Sequence, residues 1–208
     1  MANTLTIALP KGRLASDTFQ RMEQAGYLIS LDNNKRKLIV EDKTNNFRYL
    51  FVKPSDVLTY VEEGVADLGV VGKDLIMEES KDVYQLLDLE IGRCKMVIAG
   101  RPDGNPLSGS SLRVATKFPN VARKYLAKRF GQLHIVPLQG SVELGPLVGL
   151  ADVIVDIYET GNTLKANGLE RYEDLFDISA YLVANKASYR LNASAIQTIK
   201  ERLSKRGD

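Results

Sequence analysis

The sequence predicts an α/β protein with mostly parallel sheets, and three observations predict it. Apolar, β-branched runs alternate with segments of helical period along the chain, the pattern of strand–helix–strand units. Residues 153–155 (VIV) form a continuous β-branched run, as in a strand covered on both faces of a parallel sheet. Residues 101–111 (RPDGNPLSGSS) are rich in turn formers and interrupt the alternation near mid-chain, which permits two lobes with a cleft between them.

Taken in order, residues 5–9 alternate as a first strand, and Pro10, Lys11, Gly12 and Arg13 form a turn. Ser16 is placed to cap a helix with Phe19, Met22 and Ala25 on its inner face, stopped by Gly26. Residues 37–40 and 47–52 read as a hairpin turning at Asn45 and Asn46. Ser55 is placed to cap a helix lined by Val57, Leu58 and Val61 and ended by Gly64. Strands follow at 68–71, 83–89 and 95–99. Beyond the break come a strand at 112–115, a helix at 119–130, a strand at 134–138, a helix at 141–148 and the 153–155 strand. A final strand near 178–183 leads to a helix capped by Asn192 and lined by Ile196, Ile199 and Leu203.

Composition removes several function classes. The 28 basic and 26 acidic residues nearly cancel, so no global polycation points to nucleic acid, and any basic site is local. A single cysteine, Cys94, excludes an intrachain disulfide and fits a reducing compartment. One Cys and one His (His134) make neither a zinc site nor a Ser-His-Asp constellation. The amino terminus lacks the pattern of a secretory signal, and no run approaches the length of a membrane span. The expectation is a cytoplasmic protein that binds neither membrane nor nucleic acid.

The most informative stretch follows the 153–155 run. Asp156 stands at the expected carboxyl end of a strand, where open α/β sheets bind ligands. Thr160, Gly161, Asn162 and Thr163 then turn into a helix, gathering amides and hydroxyls suited to a phosphate, while the acid suits ribose hydroxyls or a metal held through water. The spacing resembles the loop that binds 5-phosphoribosyl 1-pyrophosphate in phosphoribosyltransferases. Other strand ends offer further groups. Lys11 and Arg13 flank Gly12, Lys53 follows another strand, and Arg36 begins the hairpin. Gly72 and Asp74 open a helix, and Ser141 and Glu143 stand at a strand-to-helix junction. Arg93 and Cys94 set a thiol beside a cation. Packing is the plainer role for that thiol, and no covalent nucleophile is expected.

Residues 7–14 (IALPKGRL), 67–74 (DLGVVGKD), 140–143 (GSVE) and 149–169 (GLADVIVDIYETGNTLKANGL) together resemble the ATP phosphoribosyltransferase family of histidine biosynthesis, and the resemblance covers essentially the whole chain. It implies transfer of a phosphoribosyl group from 5-phosphoribosyl 1-pyrophosphate to N1 of ATP, with pyrophosphate released and Mg2+ required. It also implies a fold like type II periplasmic binding proteins, the first lobe built from residues 1–91 and 179–208 and the second, with the phosphoribosyl-pyrophosphate loop, from 92–178. Carried onto this sequence, Arg13, Arg36 and Lys53 are the catalytic candidates. Lys11, Gly72, Asp74, Arg93, Cys94, Ser141, Glu143, Asp156, Thr160, Gly161, Asn162 and Thr163 are the substrate-binding candidates, with Asp74 toward the adenine. The chain ends at Asp208 and so resembles the short form, which implies a regulatory subunit similar to histidyl-tRNA synthetase, a hetero-octamer, and no histidine sensor in this chain. Salvage-type transferases carry two adjacent acids before the loop, whereas Ile157 follows Asp156; a single acid leaves Mg2+ to substrate oxygens and water. Two rival readings are a nucleotide-salvage phosphoribosyltransferase and a non-enzymatic solute-binding protein of the same fold.

Overall fold

The computed structural model describes residues 4–29, 37–103 and 106–205. The chain divides into two compact units, Met1–Gly92 with Ser179–Asp208, and Arg93–Ile178.

The first unit is a six-stranded sheet in the order β2-β3-β1-β4-β11-β5, with β1 Leu5–Pro10, β2 Ile39–Asp42, β3 Phe47–Val52, β4 Leu68–Gly72, β5 Tyr84–Asp88 and β11 Ala180–Ala184. Side chains alternate across β1, so Leu5, Ile7 and Leu9 enter one core and Ala8 the other. Helices α1 (Arg13–Gln24) and α8 (Ala193–Ser204) cover the first core through Ala15, Met22, Ile196, Ile199 and Leu203. Helix α2 (Val57–Glu62) covers the second through Val57, Leu58 and Val61. Each such fully buried aliphatic side chain contributes roughly 1.5–3 kcal/mol of burial free energy.

Two residues of the 67–74 motif have structural work in this unit. The Asp67 carboxylate accepts the Thr6 N–H at 2.7 Å, tying β4 to the start of β1. A Cβ at Gly69 would lie 2.7 Å from Val61 and 2.9 Å from Val57, so glycine is what lets α2 sit directly on β4.

The second unit is a five-stranded sheet in the order β10-β6-β9-β7-β8, with β6 Cys94–Gly100, β7 Ser111–Thr116, β8 Gln132–Pro137, β9 Val153–Tyr158 and β10 Glu170–Ile178. Its helices are α4 (Pro119–Leu126), α5 (Leu144–Leu147) and α6 (Asn162–Ala166). The expected α/β class holds, but both sheets are mixed where mostly parallel ones are expected. Parallel ladders join β1 to β3 and β4, and β7 to β8 and β9. Antiparallel ladders add β2, β5, β6, β10 and β11. The segments leading into and out of the second unit, β6, β10 and β11, are among those that run against their neighbours, as are β2 and β5 at the two edges of the first sheet.

Several boundaries differ from the sequence reading. Helix α1 begins at Arg13 and encloses Ser16, because Gly12 takes φ +101° and ψ −152°, backbone space open essentially to glycine, and turns strand into helix at once. Ser55 lies in a single 3₁₀ turn, Pro54–Asp56, and its hydroxyl donates to Asp56 at 2.9 Å instead of capping α2. Helix α5 is one turn long where residues 141–148 are expected; Ser141 is at φ +47° and Pro146 removes an amide donor. Strand β10 is absent from the sequence reading, since its residues (ERYEDLFDI) carry charge on both faces. It is an edge strand with two register shifts, and charge at an edge deters pairing with other chains.

Helix α7 (Lys186–Leu191) is likewise unread, and Asn185 caps it, accepting the Ala187 and Ser188 N–H groups at 2.9 Å. The same side chain donates to the Val61 and Glu62 carbonyls at 2.9 and 3.1 Å, tying the end of α2 to the start of α7. Asn185→Ala removes a cap and leaves two carbonyls without this donor. A loss of about 2–3 kcal/mol of unfolding free energy is expected in denaturant titration. A midpoint unchanged from the parent protein would contradict that role.

Candidate active site

In the second unit, parallel strands β7, β8 and β9 end on one sheet edge, and antiparallel β6 begins there, with Lys95 opposite Tyr158. Strand β9 runs beyond residues 153–155 to Tyr158, so Asp156 is a half-buried strand residue opposite Val97, not the residue that follows the strand. Alternation puts Ile154, Asp156 and Tyr158 on one face. Ile154 is fully buried with Val97, Ala99, Val142 and Leu164, and Tyr158 packs against the same cluster.

Thr160 and Gly161 follow, and α6 starts at Asn162. Gly161 has φ +76° and ψ 1°, the left-handed conformation that favours glycine. A Cβ there would also fall 2.7 Å from two ring carbons of Tyr158. Thr160, Asn162 and Thr163 are exposed, while buried Leu164 anchors the loop. The Asn162 amide lies at 3.4 Å from the Thr160 hydroxyl, the limit of a hydrogen bond. Amides of a first helical turn have no intrahelical acceptor, so the loop offers donors to an anion. With only five residues in α6, that capacity comes from local N–H and hydroxyl groups.

The loop after β8 is held beside β9 by Val142, buried in the cluster that contains Ile154. Its neighbours Ser141, exposed, and Glu143, half-buried at the start of α5, therefore stand on the edge that carries Asp156. Cys94 opens β6 opposite Ile178, and Arg93 precedes it at the same edge. His134 is exposed within β8, in register with Arg113 and away from these residues.

A charged network borders the loop. Lys95 lies 2.6 Å from Asp174 and 3.7 Å from Asp177, and Arg171 lies 3.2 Å from Asp174. The hydrogen bond from Lys95 holds the Asp174 carboxyl below its ordinary value, and the same bond raises Lys95. The Arg171 guanidinium lies over the Tyr158 ring, 5.0 Å from its centroid. Tyr158 and Arg171 are functional candidates that the sequence reading misses; the signal available for Tyr158 was its period-two spacing from Asp156.

In the first unit, the carboxyl ends of β3, β1 and β4 share an edge. Pro10 is in register with Val52, the Lys11 amide donates to the Val52 carbonyl at 2.9 Å, and Ala8 is in register with Gly69. This places Lys53, Lys11 with Arg13, and Gly72 with Asp74 along that edge. Lys11 and Lys53 are exposed, and Arg13 is exposed in the first turn of α1, 4.0 Å from Asp17. Asp74 is buried against Gly72, whose Cβ would lie 3.2 Å from the carboxyl carbon. Arg36 lies outside the described residues. Each unit thus gathers its own share of the candidates on one sheet edge. A pocket of about 400 Å³, lined in part by Arg101, Arg113, Asp152 and Tyr172, lies at the opposite edge of the second sheet and contains none of them. Among the described residues no group of three or more His, Cys, Asp or Glu side chains gathers as a metal site, and no described helix is long and apolar enough to cross a membrane.

The fold and the loop define a class first: a two-unit α/β chain of periplasmic-binding-protein type carrying a phosphate-suited loop at a sheet edge. The aliphatic sulphonate binding protein SsuA from Escherichia coli shares this fold, with TM-score 0.61 at 13% identity, covering 98% of this chain and 74% of that one. Within the class, the family model described as HisG, ATP phosphoribosyltransferase, matches residues 53–205. An ATP phosphoribosyltransferase from Clostridioides difficile (strain 630) is 53% identical over 196 residues, 94% of each chain. The ATP phosphoribosyl transferase (HisG:HisZ) complex from Thermotoga maritima contains a chain that superposes with TM-score 0.80 at 37% identity, covering 96% of both. The chain belongs to the ATP phosphoribosyltransferase family, which favours that reading over the salvage-enzyme and solute-binding alternatives.

Proposed function

We propose that this chain transfers the phosphoribosyl group of 5-phosphoribosyl 1-pyrophosphate to N1 of ATP, releasing pyrophosphate, as the first step of histidine biosynthesis in the cytoplasm. The observation that carries the reading is the 156–163 segment, running from the end of β9 through the Gly161 turn into α6, in a chain of this family. In this reading the amides and hydroxyls of Thr160, Gly161, Asn162 and Thr163 hold the 5-phosphate, and Asp156 accepts hydrogen bonds from the ribose hydroxyls. Ser141 and Glu143, held beside β9 by Val142, meet the ribose from the neighbouring loop. Arg93 and Cys94 line the same edge.

Carbon C1 of the ribose becomes positive as pyrophosphate departs, and the adenine N1 must lie in line behind it. Orientation and neutralisation of the leaving group supply most of the acceleration such a reaction needs. Lys11, Arg13 and Lys53, and Arg36 from outside the described residues, balance pyrophosphate and triphosphate charge. Gly72 and Asp74 belong to the adenine side in this assignment. The burial of Asp74 makes it a residue that shapes the first turn of α3 (Lys73–Glu79) as much as one that reaches out.

Mg2+ supplies further charge neutralisation at the pyrophosphate when bound. The single acid at the loop fits an ion held by substrate oxygens and water, with Asp156 touching it through water at most. The HisG:HisZ complex of the Thermotoga maritima relative supports a second, regulatory subunit for this chain as well; a likeness of that subunit to histidyl-tRNA synthetase and a hetero-octameric assembly are what the family resemblance implies.

Pyrophosphate release tests the reading. It should require ATP and 5-phosphoribosyl 1-pyrophosphate together and should fail when a free nucleobase replaces ATP. Release with nucleobases would return the salvage alternative, and no release in any mixture, partner subunit included, would return the solute-binding one.

A further inference from the structure

We propose that Tyr158 and Arg171 are positioning residues for the phosphate loop, a role that rests on the assignment of residues 160–163 to the 5-phosphate. Three observations converge on the tyrosine. It is the last residue of β9, on the face shared with Ile154 and Asp156, and it is partly buried against the Val97, Val142, Ile154 and Leu164 cluster. Its ring and hydroxyl occupy the volume that a side chain at Gly161 would fill, so the ring is in direct contact with the backbone that must present its amides. The guanidinium of Arg171 lies over the ring, and Arg171 is itself tied to Asp174.

The physical consequence is preorganisation. Gly161 is free to adopt many conformations in isolation, and a glycine loop that must be ordered on binding loses affinity to that ordering. A rigid aromatic floor confines Gly161 to its left-handed turn before ligand arrives. Arg171 confines the ring in turn through a cation–π contact, anchored by the carboxylate of Asp174. Positive charge from Arg171 and Lys95 is balanced locally by Asp174 and Asp177, so the network serves geometry more than attraction of phosphate.

The test is calorimetric titration with 5-phosphoribosyl 1-pyrophosphate and Mg2+, and separately with ATP, on the full chain and its variants. Tyr158→Phe keeps the ring and should stay within about twofold of the parent Kd. Tyr158→Ala should weaken phosphoribosyl-pyrophosphate binding about tenfold, equivalent to about 1.4 kcal/mol, and leave ATP binding unchanged. Arg171→Gln should weaken it by a smaller factor, about threefold. Gly161→Ala should also weaken it. Combined with Tyr158→Ala it should add less than it costs alone, since removing the ring relieves the clash with the methyl and leaves only the left-handed backbone penalty. Should Tyr158→Ala fail to fold, Tyr158→Leu keeps apolar packing without the ring and carries the same expectation. Parent-like binding by a folded Tyr158→Ala or Tyr158→Leu, beside weakened binding by Gly161→Ala, overturns the positioning role and leaves the loop assignment standing. Parent-like binding by Gly161→Ala as well overturns the loop assignment and this inference with it.

Discussion

Gly161→Val is expected to lower affinity for 5-phosphoribosyl 1-pyrophosphate by about 100-fold or more, at about 1.4 kcal/mol for each factor of ten. Two costs arise at one atom. Gly161 is at φ +76°, where an L-residue costs roughly 1–2 kcal/mol and a β-branched one more. The added carbon also falls within 2.7 Å of the Tyr158 ring, so either the ring leaves the Val97–Ile154 cluster or the loop abandons its turn. The second outcome removes the amides from the phosphate. Because Thr160, Asn162 and Thr163 are exposed, the fold should survive with a melting temperature lowered by a few degrees, at roughly 2–4 °C per kcal/mol for a chain of this size. Calorimetry on the folded variant decides the matter; parent-like binding would remove the loop from the site.

Arg13→Ala should slow turnover by about 10-fold or more, a loss of about 1.4 kcal/mol of transition-state stabilisation, with little change in melting temperature. Arg13 opens α1 directly after a glycine locked at φ +101°, with a side chain 65% exposed. Its contact with Asp17, 4.0 Å away at the surface, is worth at most about 1 kcal/mol to folding. Its guanidinium stands exposed at the sheet edge, close to where the Lys11 amide is fixed by Val52, the edge assigned to developing negative charge. Steady-state kinetics and a thermal melt separate the alternatives. Unchanged turnover with a lowered melting temperature would make Arg13 a structural residue.

Much of this architecture is legible in the sequence because burial and period coincide. Leu5, Ile7 and Leu9 alternate into one core, and the VIV run at 153–155 is buried on both faces, as continuous apolar strands are. The 160–163 turn is legible for a related reason, since a glycine beside threonines after an apolar run has few other uses. What escaped reading is set by contacts between distant residues. Strand β10 is polar, and only pairing with buried β6 makes it a strand. The extension of β9 to Tyr158 depends on Lys95 standing opposite it. The ring's place beneath Gly161 and beside Arg171 is a packing fact without a local pattern. Asp67 and Gly69 show the converse: part of a motif that reads as a ligand loop serves the fold, holding Thr6 and admitting α2.

The most direct measurement is a crystal structure of the chain with 5-phosphoribosyl 1-pyrophosphate and Mg2+ bound. The 5-phosphate is expected within hydrogen-bonding distance of the amides and hydroxyls at 160–163, with the ribose hydroxyls on Asp156. A 5-phosphate seated elsewhere, on Lys11 and Arg13 for example or in the pocket beside Arg113, would contradict it.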